Sequence, residues 1–135
     1  MKGFGEKNQS KKEITSKNKQ KVNISQLIKK AFELQSQGKK LEAAKYYVYL
    51  IKQGIKDYRV FSNYGIFLNE IGKHNEAELE LKKAISLNPK YANSYYNLVV
   101  LYMGQENFEK AELEFKEAIK LNQTLLLLTI ISDLF

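Results

Sequence analysis

A unit of 34 residues recurs three times in this chain without insertion or deletion, over residues 24–57, 58–91 and 92–125. A fixed period in this range marks units that cannot bury their apolar faces alone and must pack on their neighbours, so it restricts the fold more than composition does. The eighth place of the unit holds Ala31, Gly65 and Val99, and the twentieth holds Ala43, Ala77 and Ala111. Small residues at both places point to helices that approach closely there. Bulkier residues recur at the eleventh place (Leu34, Leu68, Tyr102), the seventeenth (Leu41, His74, Phe108) and the twenty-fourth (Tyr47, Leu81, Phe115), and are expected to fill the core. The twenty-seventh place reads Leu50, Ala84, Ala118, and the thirty-second Ile55, Pro89, Gln123.

Spacing within each unit decides the element type. Phe61, Tyr64, Gly65 and Leu68 fall on one helical face, as do Ala77, Leu81, Ala84 and Ile85. Gly38 and Gly72 follow such runs where a left-handed C-terminal cap is wanted, and Asn88-Pro89 closes the second pair. The pattern predicts an all-α chain with helices near 25–37, 41–53, 59–71, 75–87, 93–105 and 109–121.

The net charge of +7 is unevenly placed. Residues 1–23 hold seven lysines against Glu6 and Glu13, which leaves the repeats nearly neutral. This leader contains few large apolar residues, so it is expected to be a disordered lysine-rich tail suited to weak, nonspecific binding of nucleic acid or anionic lipid. It lacks the continuous apolar stretch of a secretory signal, and the chain has no cysteine; both fit a cytoplasmic protein and exclude thiolate metal sites and a cysteine nucleophile.

Ser94-Tyr95-Tyr96-Asn97-Leu98, Asn107-Phe108-Glu109-Lys110-Ala111 and Ala118-Ile119-Lys120-Leu121-Asn122, read with the period, resemble the tetratricopeptide repeat family. Departures occur at Lys30, Leu50 and Val99, and no proline closes the first and third units. The resemblance implies a right-handed α-solenoid of three hairpins whose first helices line a concave, peptide-binding groove. It carries the groove positions to Phe32 in the first unit, Arg59, Asn63, Ile66 and Asn69 in the second, and Asn93, Tyr96, Asn97, Val100 and Met103 in the third. Asn63 and Asn97 occupy the same place one unit apart and look like the asparagine ladder of O-linked N-acetylglucosamine transferase arms, with Lys29 replacing it in the first unit. Asparagine is also simply common at that place. The two-carboxylate clamp of chaperone-binding modules falls on Ile28, Phe32, Asn63, Asn93 and Asn97, of which only one agrees, so that role is disfavoured.

Nothing in the chain supplies an enzyme with its groups. His74 is the only histidine and sits at a filler place. Glu78 with Lys82 and Glu112 with Lys116 have the spacing of exposed helix pairs. No phosphate loop or paired nucleophile and base appears, so no cofactor, metal or small-molecule substrate is expected, and the partner is a protein or peptide. Residues 126–135 are nearly all apolar and are expected to form a seventh, capping helix over the third unit. They are too short to span a bilayer. Such a segment suits packing against a second copy, docking onto a further domain, or the start of a fourth unit. The lysine-rich leader followed by repeats also resembles the N-terminal arm of bacterial transferase-type proteins.

Overall fold

A computed structural model describes residues 24–134, and every regular element in it is an α-helix. The expectation of a disordered leader lies outside the described residues. The chain divides into two compact units, one ending at Leu50 and the other beginning at Ile51.

The N-terminal unit contains helix α1, residues 24–36, and most of α2, Lys40–Lys52. Gly38 turns the chain between them at a φ of 77°, a left-handed conformation that costs glycine nothing. The Lys39 amide then reaches back to the Leu34 carbonyl at 2.9 Å, closing the last turn of α1. Ala31, Leu34, Ala43, Ala44, Tyr47 and Leu50 are buried, and the Phe32 ring meets Tyr47 with centroids 6.3 Å apart.

The C-terminal unit contains α3 (Tyr58–Glu70), α4 (His74–Leu87), α5 (Ala92–Gly104) and α6 (Phe108–Leu134). Consecutive helices pack on one another, and α3 also touches α5. Leu68, Ala77, Leu81, Leu98, Leu101, Tyr102 and Ala111 form its core. Leu68, Ala77, Leu81, Tyr102 and Ala111 stand at places that the period marks as small or filling, whereas Leu98 and Leu101 stand at the seventh and tenth places, which it does not mark. Gly65 shows why small residues are required: a Cβ there would lie 2.8 Å from Leu81 Cγ and 3.3 Å from the Ala77 carbonyl oxygen. The α3–α4 contact is therefore set by the absence of a side chain.

Helix ends follow the same phase. Gly72, at φ 84°, and the Lys73 amide bonded to Leu68 O at 2.9 Å repeat the Gly38 turn one unit later. In the third unit the equivalent residue is Glu106, at φ 58°, with Asn107 N reaching Tyr102 O at 2.8 Å. The turn survives without its glycine, at a backbone cost of about 1–2 kcal/mol for a residue bearing a Cβ.

Three expectations need correction. Residues 126–134 are helical, but as an uninterrupted continuation of α6 and not as a seventh helix folded over the third unit. The first unit closes at Gly54, φ 80°, and the second at Asn88-Pro89; the same places in the third are Asn122-Gln123, which let the helix run on. The seventeenth place is not a filler, since Leu41 and Phe108 are well exposed and His74 bonds to Asn69. At the twenty-fourth place Tyr47 and Leu81 are buried while Phe115 is exposed, because among the described residues no further helix follows α6 to cover it.

Gly65→Ala should lower stability by about 1–3 kcal/mol, since Leu81 and α4 must both shift, and Glu106→Gly should raise it by about 1 kcal/mol. Urea unfolding followed by circular dichroism measures both.

Candidate functional site

On α3, Arg59, Asn63, Ile66 and Asn69 are spaced by four and three residues and form one stripe. On α5, Asn93, Tyr96, Asn97, Val100 and Met103 form a second. The stripes are joined where Asn97 Nδ2 donates to Ser62 Oγ at 3.1 Å, a bond from α5 to α3 between neighbouring units. Nine of the ten candidate residues thus fall on two adjacent helices. Phe32 belongs to the N-terminal unit, half-buried beside Tyr47.

Hydrogen bonds within the chain already hold much of this surface. Ser62, itself only 4% exposed, takes one N–H of Asn97. Asn69 Oδ1 lies 2.8 Å from His74 Nδ1, and Asn93 Nδ2 donates to the Tyr91 hydroxyl at 3.1 Å. Tyr96 accepts from Asn122 Nδ2 at 3.1 Å and meets the Phe115 ring edge-on at 6.1 Å. Arg59 is clamped by Asp57, with Nη2 2.6 Å from Oδ2 and Nε 3.0 Å from Oδ1. Burial alone would raise the Asp57 carboxyl, but the hydrogen bonds and charge of Arg59 outweigh it and hold the group below its ordinary value. Asp57 also accepts from the Arg59 amide at 3.0 Å, so one carboxylate caps α3 and orients the arginine. Val100 and Met103 are left open, 62% and 50% exposed. The face is a fixed polar lattice with apolar side chains standing out of it.

A family model described as tetratricopeptide repeat matches residues 68–127. No curated protein matches the sequence significantly. Among solved structures, a MamA mutant superposes with a TM-score of 0.68 at 20% identity, over 73% of this chain and 72% of that one. The TPR2B domain of yeast Sti1, in a complex with pHsp70, gives 0.68 at 20% identity over 75% and 81%. The second TPR of Spaghetti (RPAP3), bound to the HSP90 peptide SRMEEVD, gives 0.69 at 17% identity over 83% and 97%. The fold is that of tetratricopeptide-repeat proteins. At these identities the likeness concerns fold alone.

One polar cluster that the tetratricopeptide pattern does not show lies between α4, α5 and α6. Tyr102 donates to Glu78 Oε1 at 2.7 Å, Lys82 Nζ lies 2.7 Å from the same oxygen, and Lys110 Nζ lies 4.0 Å away, over the Tyr102 ring. The expected Glu78–Lys82 pair is present, yet Glu78 is not a solvated outer residue, because its side chain is only 20% exposed. The Glu112–Lys116 pair also forms, at 3.0 Å. Burial, then the bond to Glu78, raises the Tyr102 phenol. The signal available in sequence was Tyr102 itself: its counterparts Leu34 and Leu68 carry no hydroxyl that would need a partner. Among the described residues no three His, Asp or Glu side chains gather as a metal site, and no helix is long and apolar enough to cross a membrane.

Hydrogen bonds from Lys82 and Tyr102 hold the Glu78 carboxyl below its ordinary value. A lowered carboxyl contributes stability above its unfolded pKa and loses it as pH falls through the folded one. The melting temperature should therefore fall more steeply from about pH 5 to pH 3 in the native chain than in Glu78→Gln, which differential scanning calorimetry would resolve.

Proposed function

We propose that this chain is a protein-interaction module that holds a peptide segment of a partner against the α3–α5 face, and that it catalyses no reaction. The observation that carries this reading is the exposure of Val100 and Met103 beside asparagines already fixed by Ser62, Tyr91 and His74. A pre-organised polar lattice loses little entropy on binding, while the exposed apolar side chains supply the area that a peptide would cover. That tetratricopeptide folds of similar shape hold the HSP90 peptide SRMEEVD and pHsp70 supports the class of partner. It does not support the acidic ligand, because of the five places that a two-carboxylate clamp would use, here Ile28, Phe32, Asn63, Asn93 and Asn97, only one agrees and none holds a cation.

The same face would serve if the chain were the recruiting arm of a larger bacterial transferase, and a cytoplasmic setting fits either case. A second reading, self-assembly, is favoured by the apolar side chains that α6 exposes beyond Asn122.

Fluorescence polarisation against a panel of labelled 12-residue peptides, uncharged, apolar and acidic, tests the first reading. Uncharged or apolar members should bind, SRMEEVD should bind no better than its glutamine-substituted form, and Val100→Asp should weaken binding at least about tenfold with the melting temperature unchanged. Asn63→Ala with Asn97→Ala should also weaken binding, with some fall in melting temperature because the Asn97–Ser62 bond is lost. Binding unaffected by all three substitutions would remove the α3–α5 face from the reading.

A further inference from the structure

The N-terminal unit carries an open slot between its two helices. Leu27 of α1 and Lys45, Tyr46 and Tyr49 of α2 line a cavity of about 280 Å³, and the lining is almost wholly carbon. Lys45 therefore contributes its aliphatic stem and the tyrosines their rings. Leu27 lies on the same stripe of α1 as the buried Ala31 and Leu34, and Phe32 stands about 140° round the helix from it. The slot is thus on a different face from the candidate groove position of this unit.

The period shows what the slot is short of. Leu27 occupies the fourth place of its unit, where the second and third units hold Phe61 and Tyr95. The Phe61 ring is buried, with Lys83 Nζ over it at 5.8 Å from the centroid, and Tyr95 is half-buried. Each of those units supplies its own ring. In the first unit leucine stands in place of that ring, and two of the lining residues change as well. Tyr46 and Tyr49 take the places held by Glu80 and Lys83 in the second unit and by Glu114 and Glu117 in the third.

The chemistry of the slot narrows its occupant. A carbon lining offers a sugar or a phosphate no partner, and burying such groups unpaired is costly. The volume lies just below the range of about 300–1,000 Å³ typical of whole small-molecule sites, and suits a single side chain. Two tyrosine rings one helical turn apart favour an aromatic ring, which makes edge and face contacts that an aliphatic chain cannot. Charge sets what should flank that ring, since residues 24–50 hold five lysines against Glu33 and Glu42. The chain's own leader is a poor match, because its one ring, Phe4, lies between Lys2 and Lys7 in a segment with seven lysines.

We propose that this slot receives an aromatic side chain of a partner polypeptide, flanked by acidic residues, and so forms a second recognition site. It uses none of the α3–α5 residues and stands whether or not that face binds a peptide.

Heteronuclear NMR on the full chain, titrated with the peptide GEEFEEG, tests it. The amide signals of Leu27, Lys45, Tyr46 and Tyr49 should shift saturably, with GEELEEG at least about threefold weaker and GKKFKKG also weaker. Leu27→Phe restores the ring of the later units and should abolish the shifts, with the melting temperature unchanged or raised. Lys45→Glu, on the exposed surface, should reduce the preference for GEEFEEG over GKKFKKG, and decides the matter if Leu27→Phe disturbs the fold. No saturable shift, shifts confined to α3 and α5, shifts that survive Leu27→Phe, or equal binding of GEELEEG would each overturn the proposal. So would peptide binding that appears only in Phe4→Ala, which would give the slot to the leader. Self-association of the native chain that is lost in both Leu27→Phe and Phe108→Ala would overturn it in favour of a second copy.

Discussion

The C-terminal unit depends on one close approach, that of α3 to α4 at Gly65. With Leu81 Cγ only 2.8 Å from where a Cβ would stand, no larger residue fits without displacing a core side chain. Leu81 is thereby pressed into the cluster with Leu68, Ala77 and Leu98, and α5 packs on the surface that this cluster creates. Close-packed interiors transmit such a constraint, because the lining atoms have no free volume into which to relax. The placing of Asn97 against Ser62, and with it the alignment of the two candidate stripes, follows from that contact.

Much of this was legible from the chain alone, because a repeat writes the same face three times. The expected helices begin and end within one residue of those observed up to the start of α6, and the small residues at Ala31, Gly65, Ala43, Ala77 and Ala111 are buried as the period requires. What escaped was whatever breaks the period. The helix α6 was expected to stop where earlier units stop, although the residues that stop them, Gly54 and Asn88-Pro89, have no counterpart at Asn122-Gln123. Leu41 and Phe108 were assigned to the core from bulk alone, yet their place lies at the start of the second helix, outside the packed stripe.

The candidate face was legible as positions and not as chemistry. The resemblance put nine candidate side chains on two helices, but the partners of those side chains are matters of distance between helices. Asn97 with Ser62 and Asn122 with Tyr96 join residues 35 and 26 apart, and no local rule connects them. Tyr102 and Glu78 illustrate the same limit from the other side. Each reads alone as a routine residue, a core aromatic and a helix-surface acid, while together they bind α5 to α4.

The uninterrupted course of α6 has a geometric consequence. Between Phe108 and Leu134 the chain contains neither glycine nor proline, so the helix has no joint at which to bend. At 1.5 Å per residue it is about 40 Å long, and roughly 18 Å of that lies past Asn122. Its tip is held at a set distance and a set angle from Tyr96 and Val100. A flexible linker of the same length would let the two ends wander; here α6 serves as a ruler.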